Sequence, residues 1–311
     1  MTFSSRVKDE VSRLETSRTE NIAELSAIIR NTVALSNKSI DITVENNAVA
    51  RRIFKLIKDI YNITPQITVR KRYNFNKNLT YILSLKNEYK YILIDLSYYD
   101  EDYNKINIPK DYLISDEEDL RAYLRGLFIA VGSVNDPKTS RYHMEFLVND
   151  NDEALSIVSL LSYFHINAKI INREKGYMVY VKDSENISDF LKLIGANRAV
   201  MYYEDIRAFR DKKNMANRLN NCEQANVDKV ISAAKNQLED CIYLLDTLGE
   251  KLINERLLVA ITYRMKYPES SLEELSNIIS LETGKNITKS GLNHRFRDIK
   301  NKVIALKENN N

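Results

Sequence analysis

The most constraining feature of this chain is an internal duplication, because the same order of predicted elements occurs twice at a spacing of about 100 residues. Apolar spacing in the first copy predicts a helix over Ile22–Leu35, a hairpin ending in Ile40–Val44, a helix through Val49, Ile53, Leu56 and Ile60, and paired strands over Ile67–Tyr73 and Leu79–Leu85. A duplication of this kind favours two similar sheets related by an approximate twofold axis.

The following segment repeats this order. It comprises a predicted helix over Leu120–Gly132, a strand over Tyr142–Val148, a helix through Leu155, Val158 and Leu161, strands over Ala168–Asn172 and Tyr177–Val181, and a closing helix over Asn197–Arg210. Tyr61–Ile67 also aligns with Phe164–Ile170, which supports the duplication. We therefore predict two copies of an α-β-β-α-β-β-α unit.

Composition and residue spacing exclude several functional classes. With 311 residues, of which 44% are hydrophobic and 29% charged, the chain is long enough for two or three globular domains. It has no apolar run of the roughly 18 residues that a membrane span needs and no apolar signal core, so we expect a cytoplasmic protein. Cys222, Cys241 and the histidines are too widely spaced for a disulfide framework or a zinc site, so no metal or cofactor is expected.

The C-terminal segment has the pattern of two helices joined by a glycine-containing turn. Ser270 and Ser271 offer an N-cap to a short helix, and a turn around Gly284 follows it. A second helix begins near Thr288 and carries one apolar stripe, formed by Leu292, Phe296, Ile299, Val303 and Leu306. This order is typical of a helix-turn-helix domain.

The opposite face of that second helix is suited to contact DNA, although a solvated charged face is the simpler alternative. Lys285–Lys307 holds seven Lys or Arg residues against Asp298 alone, whereas Pro268–Gly284 holds four acids and no base. Amide, hydroxyl and guanidinium groups read base edges, and lysines bind phosphates. The predicted base-facing residues are Ser290, Asn293, His294 and Arg297. The predicted phosphate contacts are Lys289, Arg295, Lys300 and Lys302, and Thr288 is a further DNA-binding candidate.

Two further basic clusters are secondary candidates. Arg70–Lys77 lies on a predicted strand and turn with Tyr73 and Phe75 interleaved, and it is either a nucleic-acid contact or an exposed hairpin with its aromatic rings in the core. Arg207–Arg218 forms a predicted basic connector. The candidate secondary DNA contacts are Arg70, Lys71, Arg72, Lys77, Lys212, Lys213 and Arg218.

The stretch Leu124–Gly132 resembles the signature helix of the LAGLIDADG homing endonucleases, with Ile129 and Val131 in place of its two aspartates. In the aligned helix of the first copy, Thr32 occupies the position of the metal ligand. A nuclease of this family needs a carboxylate from each of two paired helices to hold divalent metal. Close packing of these helices is favoured by the small residues Gly126, Ala130 and Gly132. The resemblance implies a saddle-shaped scaffold that can follow a duplex and has no catalytic residues.

Four segments together resemble the bacterial WhiA regulators of sporulation and cell division. They are Phe3–Glu10, Tyr123–Pro137, Asn217–Asn226 and Ile287–Arg297, so the resemblance spans the chain. It implies a DNA-binding protein in which a degenerate LAGLIDADG domain is joined by a linker to a helix-turn-helix domain. The implied roles are in cell division, chromosome segregation or developmental transcription. Double-stranded DNA of the nucleoid is the implied partner, and other transcription or cell division proteins are further candidates.

The predicted fold class is α+β, with a duplicated LAGLIDADG-like saddle followed by an all-α helix-turn-helix domain. The saddle covers residues 1–213, with copies at about 1–100 and 117–213. A basic linker follows at 214–226, and the helical domain covers 227–306, with the helix-turn-helix at about 271–304. The predicted function is a sequence-specific DNA-binding regulator that is not an enzyme.

Two alternatives stay open. A working metal-dependent endonuclease would need acids displaced from the usual positions, and Glu24, Asp136 and Glu145 are the candidates, although none of them occupies equivalent places in the two copies. In the second alternative the saddle is a platform for partner proteins, and the C-terminal domain alone binds DNA.

Overall fold

The computed structural model describes residues 1–36, 39–71, 79–86, 89–139 and 141–309. Its internal contacts divide the chain into two compact units, Met1–Arg210 and Asp211–Asn311. We refer to them as the N-terminal unit and the C-terminal unit. No helix in the described ranges is both long and apolar enough to pass through a bilayer.

The N-terminal unit starts with a short helix, α1 (Phe3–Val11), and continues with two copies of one element order. The first copy consists of α2 (Arg18–Thr32), β1 (Val33–Leu35), β2 (Ile40–Val44), α3 (Asn47–Tyr61), β3 (Gln66–Lys71), β4 (Leu79–Leu85) and α4 (Tyr89–Asp95). The second consists of α5 (Glu117–Val131), β5 (Gly132–Val134), β6 (Met144–Val148), α6 (Asn151–Tyr163), β7 (Lys169–Arg173), β8 (Gly176–Val181) and α7 (Ser184–Leu193). The predicted α-β-β-α-β-β-α order is confirmed in both copies.

Each copy forms a four-stranded antiparallel sheet, and the strand order is the same in both. It is β1-β2-β4-β3 in the first copy and β5-β6-β8-β7 in the second. Ile42 lies opposite Leu83 in one sheet and Phe146 opposite Val179 in the other, and all four side chains are buried. Side chains alternate along a strand, so their neighbours in sequence lie on the outer face of each sheet. The identical strand order confirms the duplication.

Two element assignments in the N-terminal unit were wrong. The prediction extends the first helix through Val33–Leu35. In the structure this segment forms β1, because its backbone pairs with β2 and not with the preceding helical turn. Asn197–Arg210 does not close the second copy; α7 does. The Asp183 carboxylate accepts hydrogen bonds from the first amides of α7, and Phe190 is buried on its apolar face.

The C-terminal unit is entirely helical over the residues described. The helix α8 (Asn197–Leu248) runs from one unit into the other, and it includes the predicted linker at 214–226, where every side chain is exposed. It ends before Gly249, whose φ of 69° suits glycine. The elements that follow are a 3-10 turn (Glu250–Leu252), α9 (Glu255–Lys266), α10 (Leu272–Thr283) and α11 (Lys289–Asn309).

The core of the C-terminal unit forms around α11. The predicted stripe on α11 is confirmed, since Leu292, Phe296, Ile299 and Val303 are all buried. On α8 the buried stripe is rotated from the predicted one: Ile242 is 41% exposed, whereas Cys241 is buried. The reason is that α9, an element absent from the prediction, is part of the same apolar core.

Helices α2 and α5 pack with their backbones in direct contact. A Cβ atom on Gly126 would lie 2.3 Å from the carbonyl oxygen of Glu24 and 3.1 Å from Cβ of Ala27. The predicted role of Gly126 is therefore confirmed. Gly132 acts differently, because a Cβ atom there would meet Phe128 of its own helix, 2.4 Å away. Gly132 serves the turn from α5 into β5 and not the contact between the two helices.

A buried charge network crosses this helix pair. The Glu24 carboxylate is inaccessible to solvent and accepts hydrogen bonds from Arg52 Nε at 2.8 Å and Arg52 Nη2 at 2.9 Å. It also accepts one from Arg125 Nε at 2.8 Å, and Glu20 lies 3.7 Å from Arg125 Nη2. Because Glu24 belongs to the first copy and Arg125 to the second, the network connects the two copies.

Replacing Gly126 by Ala should destabilise the N-terminal unit by about 3 kcal/mol, because the new methyl group would force two helix backbones apart. Urea unfolding followed by circular dichroism measures this change. Gly291→Ala is the matched control, since Gly291 is exposed on α11 and its nearest contact would be 3.3 Å away. The control should be neutral or stabilising. Equal stability of the two variants would contradict the close packing.

Replacing Glu24 by Ala should destabilise the unit by about 3 to 5 kcal/mol, because it leaves two buried guanidinium groups without their shared anion. The same unfolding experiment measures the loss. Glu117→Ala is the control, since it removes an exposed carboxylate paired with Arg121 on one helix. That change should cost less than about 1 kcal/mol. A similarly small loss for Glu24→Ala would show that the network is dispensable.

Candidate nucleic-acid interface

The helix-turn-helix segment is defined at each end by local hydrogen bonds. Ser271 and Glu274 form a reciprocal capping box at the start of α10. Gly284 ends that helix in the left-handed conformation, with φ of 69°. Thr288 Oγ1 then accepts a hydrogen bond from the amide of Gly291 at 3.1 Å, which satisfies a free donor in the first turn of α11. The predicted helix, turn and helix are present.

The face of α11 opposite its buried stripe is open to solvent. The predicted DNA-binding residues that are exposed are Thr288, Lys289, Ser290, Asn293, His294, Arg297, Lys300 and Lys302. Arg295 is the exception. Its Nη1 donates to the carbonyl oxygen of Arg256 on α9 at 3.3 Å, and its pKa is lowered by burial and by the nearby Arg256 charge. Arg295 therefore packs partly against α9.

Intramolecular partners divide the exposed candidates into two groups. Lys289 Nζ lies 3.2 Å from a Glu273 carboxylate oxygen, and His294 Nδ1 lies 3.4 Å from one of Asp298. The second group has no hydrogen bond or ion pair within the described part of the chain, and it consists of Ser290, Asn293, Arg297, Lys300 and Lys302. These five side chains keep all their donors and acceptors available for a ligand.

A buried arginine that the sequence did not single out holds α11 in place. Arg264 of α9 is 1% exposed, and its guanidinium lies over the ring of Phe296 at 5.2 Å. It donates to the carbonyl oxygen of Ser270 at 2.6 Å and to Oε1 of Gln237 at 2.8 Å. Burial lowers the pKa of Arg264. The helical spacing of Leu257, Ala260, Ile261 and Arg264 was the available signal.

The secondary basic candidates lie in three places. Arg70 and Lys71 are exposed on β3, whereas Arg72 and Lys77 lie outside the described residues. On α8 the exposed candidates are Lys212, Lys213 and Arg218. Arg210, in the same basic connector, lies over the ring of Tyr142 and donates a hydrogen bond to the carbonyl oxygen of Pro137. Its guanidinium is therefore engaged within the N-terminal unit and is not free to contact DNA.

The positions of the lost signature aspartates carry no carboxylate. Thr32 Oγ1 donates to the carbonyl oxygen of Ile28 at 2.7 Å, within its own helix. Ile129 is buried, and Val131 is half-buried. No group of three or more His, Cys, Asp or Glu side chains in the described residues is placed to hold a metal ion.

The candidate displaced acids are engaged with protein groups. Glu24 is held by its two buried arginines. Asp136 accepts hydrogen bonds from Arg6 at 3.3 Å and from the Tyr202 hydroxyl at 3.1 Å. Glu145 lies 2.9 Å from Nε2 of His143 on the outer face of the second sheet. The three acids thus interact with different protein groups and do not form one shared site.

Family models match most of the chain. The model described as the WhiA N-terminal LAGLIDADG-like domain matches residues 18–98, and the WhiA LAGLIDADG-like domain matches residues 120–213. The model described as the WhiA C-terminal HTH domain matches residues 216–303. These ranges correspond to the two copies and to the helical C-terminal segment.

Relatives and a solved structure agree with these matches. The probable cell division protein WhiA of Bacillus cytotoxicus is 42% identical over 303 residues, covering 96% of this chain and 95% of that protein. The protein of the same name from Enterococcus faecalis is 39% identical over 312 residues, covering 99% of each. The crystal structure of full-length DUF199/WhiA from Thermatoga maritima has a TM-score of 0.57 at 22% identity, covers 98% of this chain and 99% of that one, and shows a shared fold. The chain belongs to the WhiA family.

Proposed function

We propose that this protein is a sequence-specific DNA-binding regulator of transcription that acts in cell division and chromosome segregation. The helix α11 is its recognition element. Support comes from the family's C-terminal HTH domain and from relatives named as probable cell division proteins. Duplex DNA as partner would place the protein at the nucleoid, together with other transcription or cell division proteins.

The observation that carries this proposal is the set of five polar side chains on the exposed face of α11 that have no hydrogen-bond or ion-pair partner among the described residues. Arg297 and Asn293 can each make paired hydrogen bonds to a purine edge in the major groove. Lys300 and Lys302 flank them and can neutralise phosphates. Lys289 and His294 can also contact DNA if they exchange their exposed acidic partners for DNA phosphates or bases. Exposed pairs of this kind contribute less than about 1 kcal/mol to protein stability, so breaking them costs little.

The domain assignment of this proposal keeps the predicted boundaries. Residues 1–213 form the LAGLIDADG-like domain, 214–226 a helical linker, and 227–306 the DNA-binding domain. Secondary backbone contacts are assigned to the exposed residues Arg70, Lys71, Lys212, Lys213 and Arg218. Arg295 is reassigned from phosphate binding to positioning, because it bridges α11 and α9.

The N-terminal unit is proposed to be a scaffold without nuclease activity. Metal-dependent cleavage requires carboxylates that converge at the ends of the paired helices. Thr32 and Val131 stand at those positions, and Glu24, the nearest displaced acid on the same helix pair, is neutralised by two buried arginines. The Thr32 hydroxyl at that position is a poor ligand for Mg²⁺, and Val131 offers no ligand atom from its side chain.

Replacing Arg297 by Ala should weaken specific binding by about 1 to 3 kcal/mol, because a paired contact to a base edge is lost. The measurement is the affinity for a site recovered from a genome-wide binding map, relative to a scrambled duplex. Arg51→Ala is the matched control, since Arg51 is exposed on a helix of the N-terminal unit. Unchanged discrimination in Arg297→Ala, or an equal loss in the control, would refute the assignment.

Incubation of the full chain with Mg²⁺ and supercoiled plasmid should leave the plasmid uncut, because Glu24, Asp136 and Glu145 are held in separate protein contacts and do not converge on a metal. Gel analysis over time measures this, with Mn²⁺ as a second metal. Reproducible cleavage that disappears in Asp136→Asn or Glu145→Gln would establish a nuclease that uses displaced acids. Cleavage unaffected by these variants would point to contamination.

A further inference from the structure

A groove with a volume of about 970 Å³ lies where the paired helices α2 and α5 end. Thr32 lines it from the end of α2, and Gly132 lines it at the end of α5. Thr43 and Ser133 line it from the two sheets. Each of these two residues neighbours a buried strand residue, so both lie on outer sheet faces. The groove therefore opens between the outer faces of the two sheets, at the place where the related nucleases would hold metal.

The groove contains a lysine whose ammonium group has no anionic partner among the described residues. Lys8 of α1 is the only basic side chain among the described residues that line it. Its ammonium makes no hydrogen bond or ion pair with any described residue, and its Nζ lies 5.8 Å from the centre of the Phe128 ring. Burial lowers the pKa of Lys8 to about 8, so the group is still mostly protonated at neutral pH. An unpaired ammonium in a partly desolvated site gains strongly from an anion.

Hydroxyl groups line the same groove as this lysine. Ser4, Thr43 and Ser133 line the groove and form no side-chain hydrogen bond with any described residue. Asn46 Nδ2 donates to Ser5 Oγ at 3.3 Å, which fixes one further wall. Glu45 also lines the groove, but it is exposed and has a partner of its own. Hydroxyl donors around an ammonium suit the oxygens of a phosphate group.

We propose that this groove binds a phosphate group through Lys8 and the neighbouring hydroxyls, and that the phosphate belongs to the backbone of duplex DNA. A protein cation then occupies the place that metal has in a nuclease. This inference rests on the proposed function, because it takes duplex DNA as the partner. It adds a contact in the N-terminal unit that is separate from the recognition helix.

The test compares full-length Lys8→Met with wild type on a mixed-sequence duplex of about 40 base pairs over a range of salt. Loss of one phosphate contact should weaken binding about three- to tenfold at low salt and lower the slope of log affinity against log salt by about one. Lys8→Arg keeps the charge and should retain binding. Lys58→Met, which removes an exposed lysine of α3 outside the groove, should change neither quantity.

Two further measurements test the groove independently of Lys8→Met. Thr43→Glu places a carboxylate in the groove from an exposed strand position, so it should weaken duplex binding as Lys8→Met does. Titration of the Lys8 NMR signal with inorganic phosphate tests the groove without DNA. A shift of that signal with no effect of Lys8→Met on duplex affinity would assign the site to a free phosphate compound.

The proposal is overturned if Lys8→Met and Lys58→Met behave alike on the duplex and inorganic phosphate leaves the Lys8 signal unmoved. Failure of the proposed function has a different signature. In that case neither wild type nor Arg297→Ala discriminates a mapped site from a scrambled duplex, while the phosphate titration still reports on the groove.

Discussion

The N-terminal unit depends on one buried carboxylate shared between two arginines. The buried Glu24 carboxylate accepts three short hydrogen bonds from Arg52 and Arg125, and Glu20 lies 3.7 Å from Arg125 Nη2. The arrangement requires that α2 and α5 touch at Gly126, since a longer interhelical distance would pull Arg125 away from Glu24. Glu24, an acid of the signature helix pair, therefore has a structural role that joins the two copies.

A second buried charge performs the equivalent task in the C-terminal unit. Arg264 donates to a backbone carbonyl before α10 and to Gln237 of α8, and its guanidinium covers Phe296 of α11. The hydrogen-bond partners of Arg264 named here are neutral oxygen atoms, so these contacts bring no negative charge close to the basic face of α11. The stripe that buries α11 and the arginine behind it fix the orientation of the helix, and the opposite face is left to interact with a ligand.

Periodic features could be predicted from the sequence, and features that depend on tertiary partners could not. The α11 stripe follows from regular spacing at Leu292, Phe296 and Ile299, and Gly126 follows from the signature. The strand β1 has only three residues, so its state is decided by β2 and not by its own propensity. Likewise, Arg295 looks like a free basic residue on a helical wheel, and only the position of α9 shows that it is bound to Arg256.

Loss of the signature aspartates changes electrostatics as well as chemistry. Two carboxylates beside a DNA backbone repel its phosphates, so a nuclease of this design can approach the duplex closely only when metal neutralises them. With Thr32 and Val131 in those positions the signature carboxylates are absent, and the charged side chains among the described residues that line the groove are Lys8 and Glu45. In the proposed function, the residues that replace the metal ligands also allow the groove to meet a phosphate directly. The proposed lack of nuclease activity and the proposed metal-free phosphate contact would then have one physical cause.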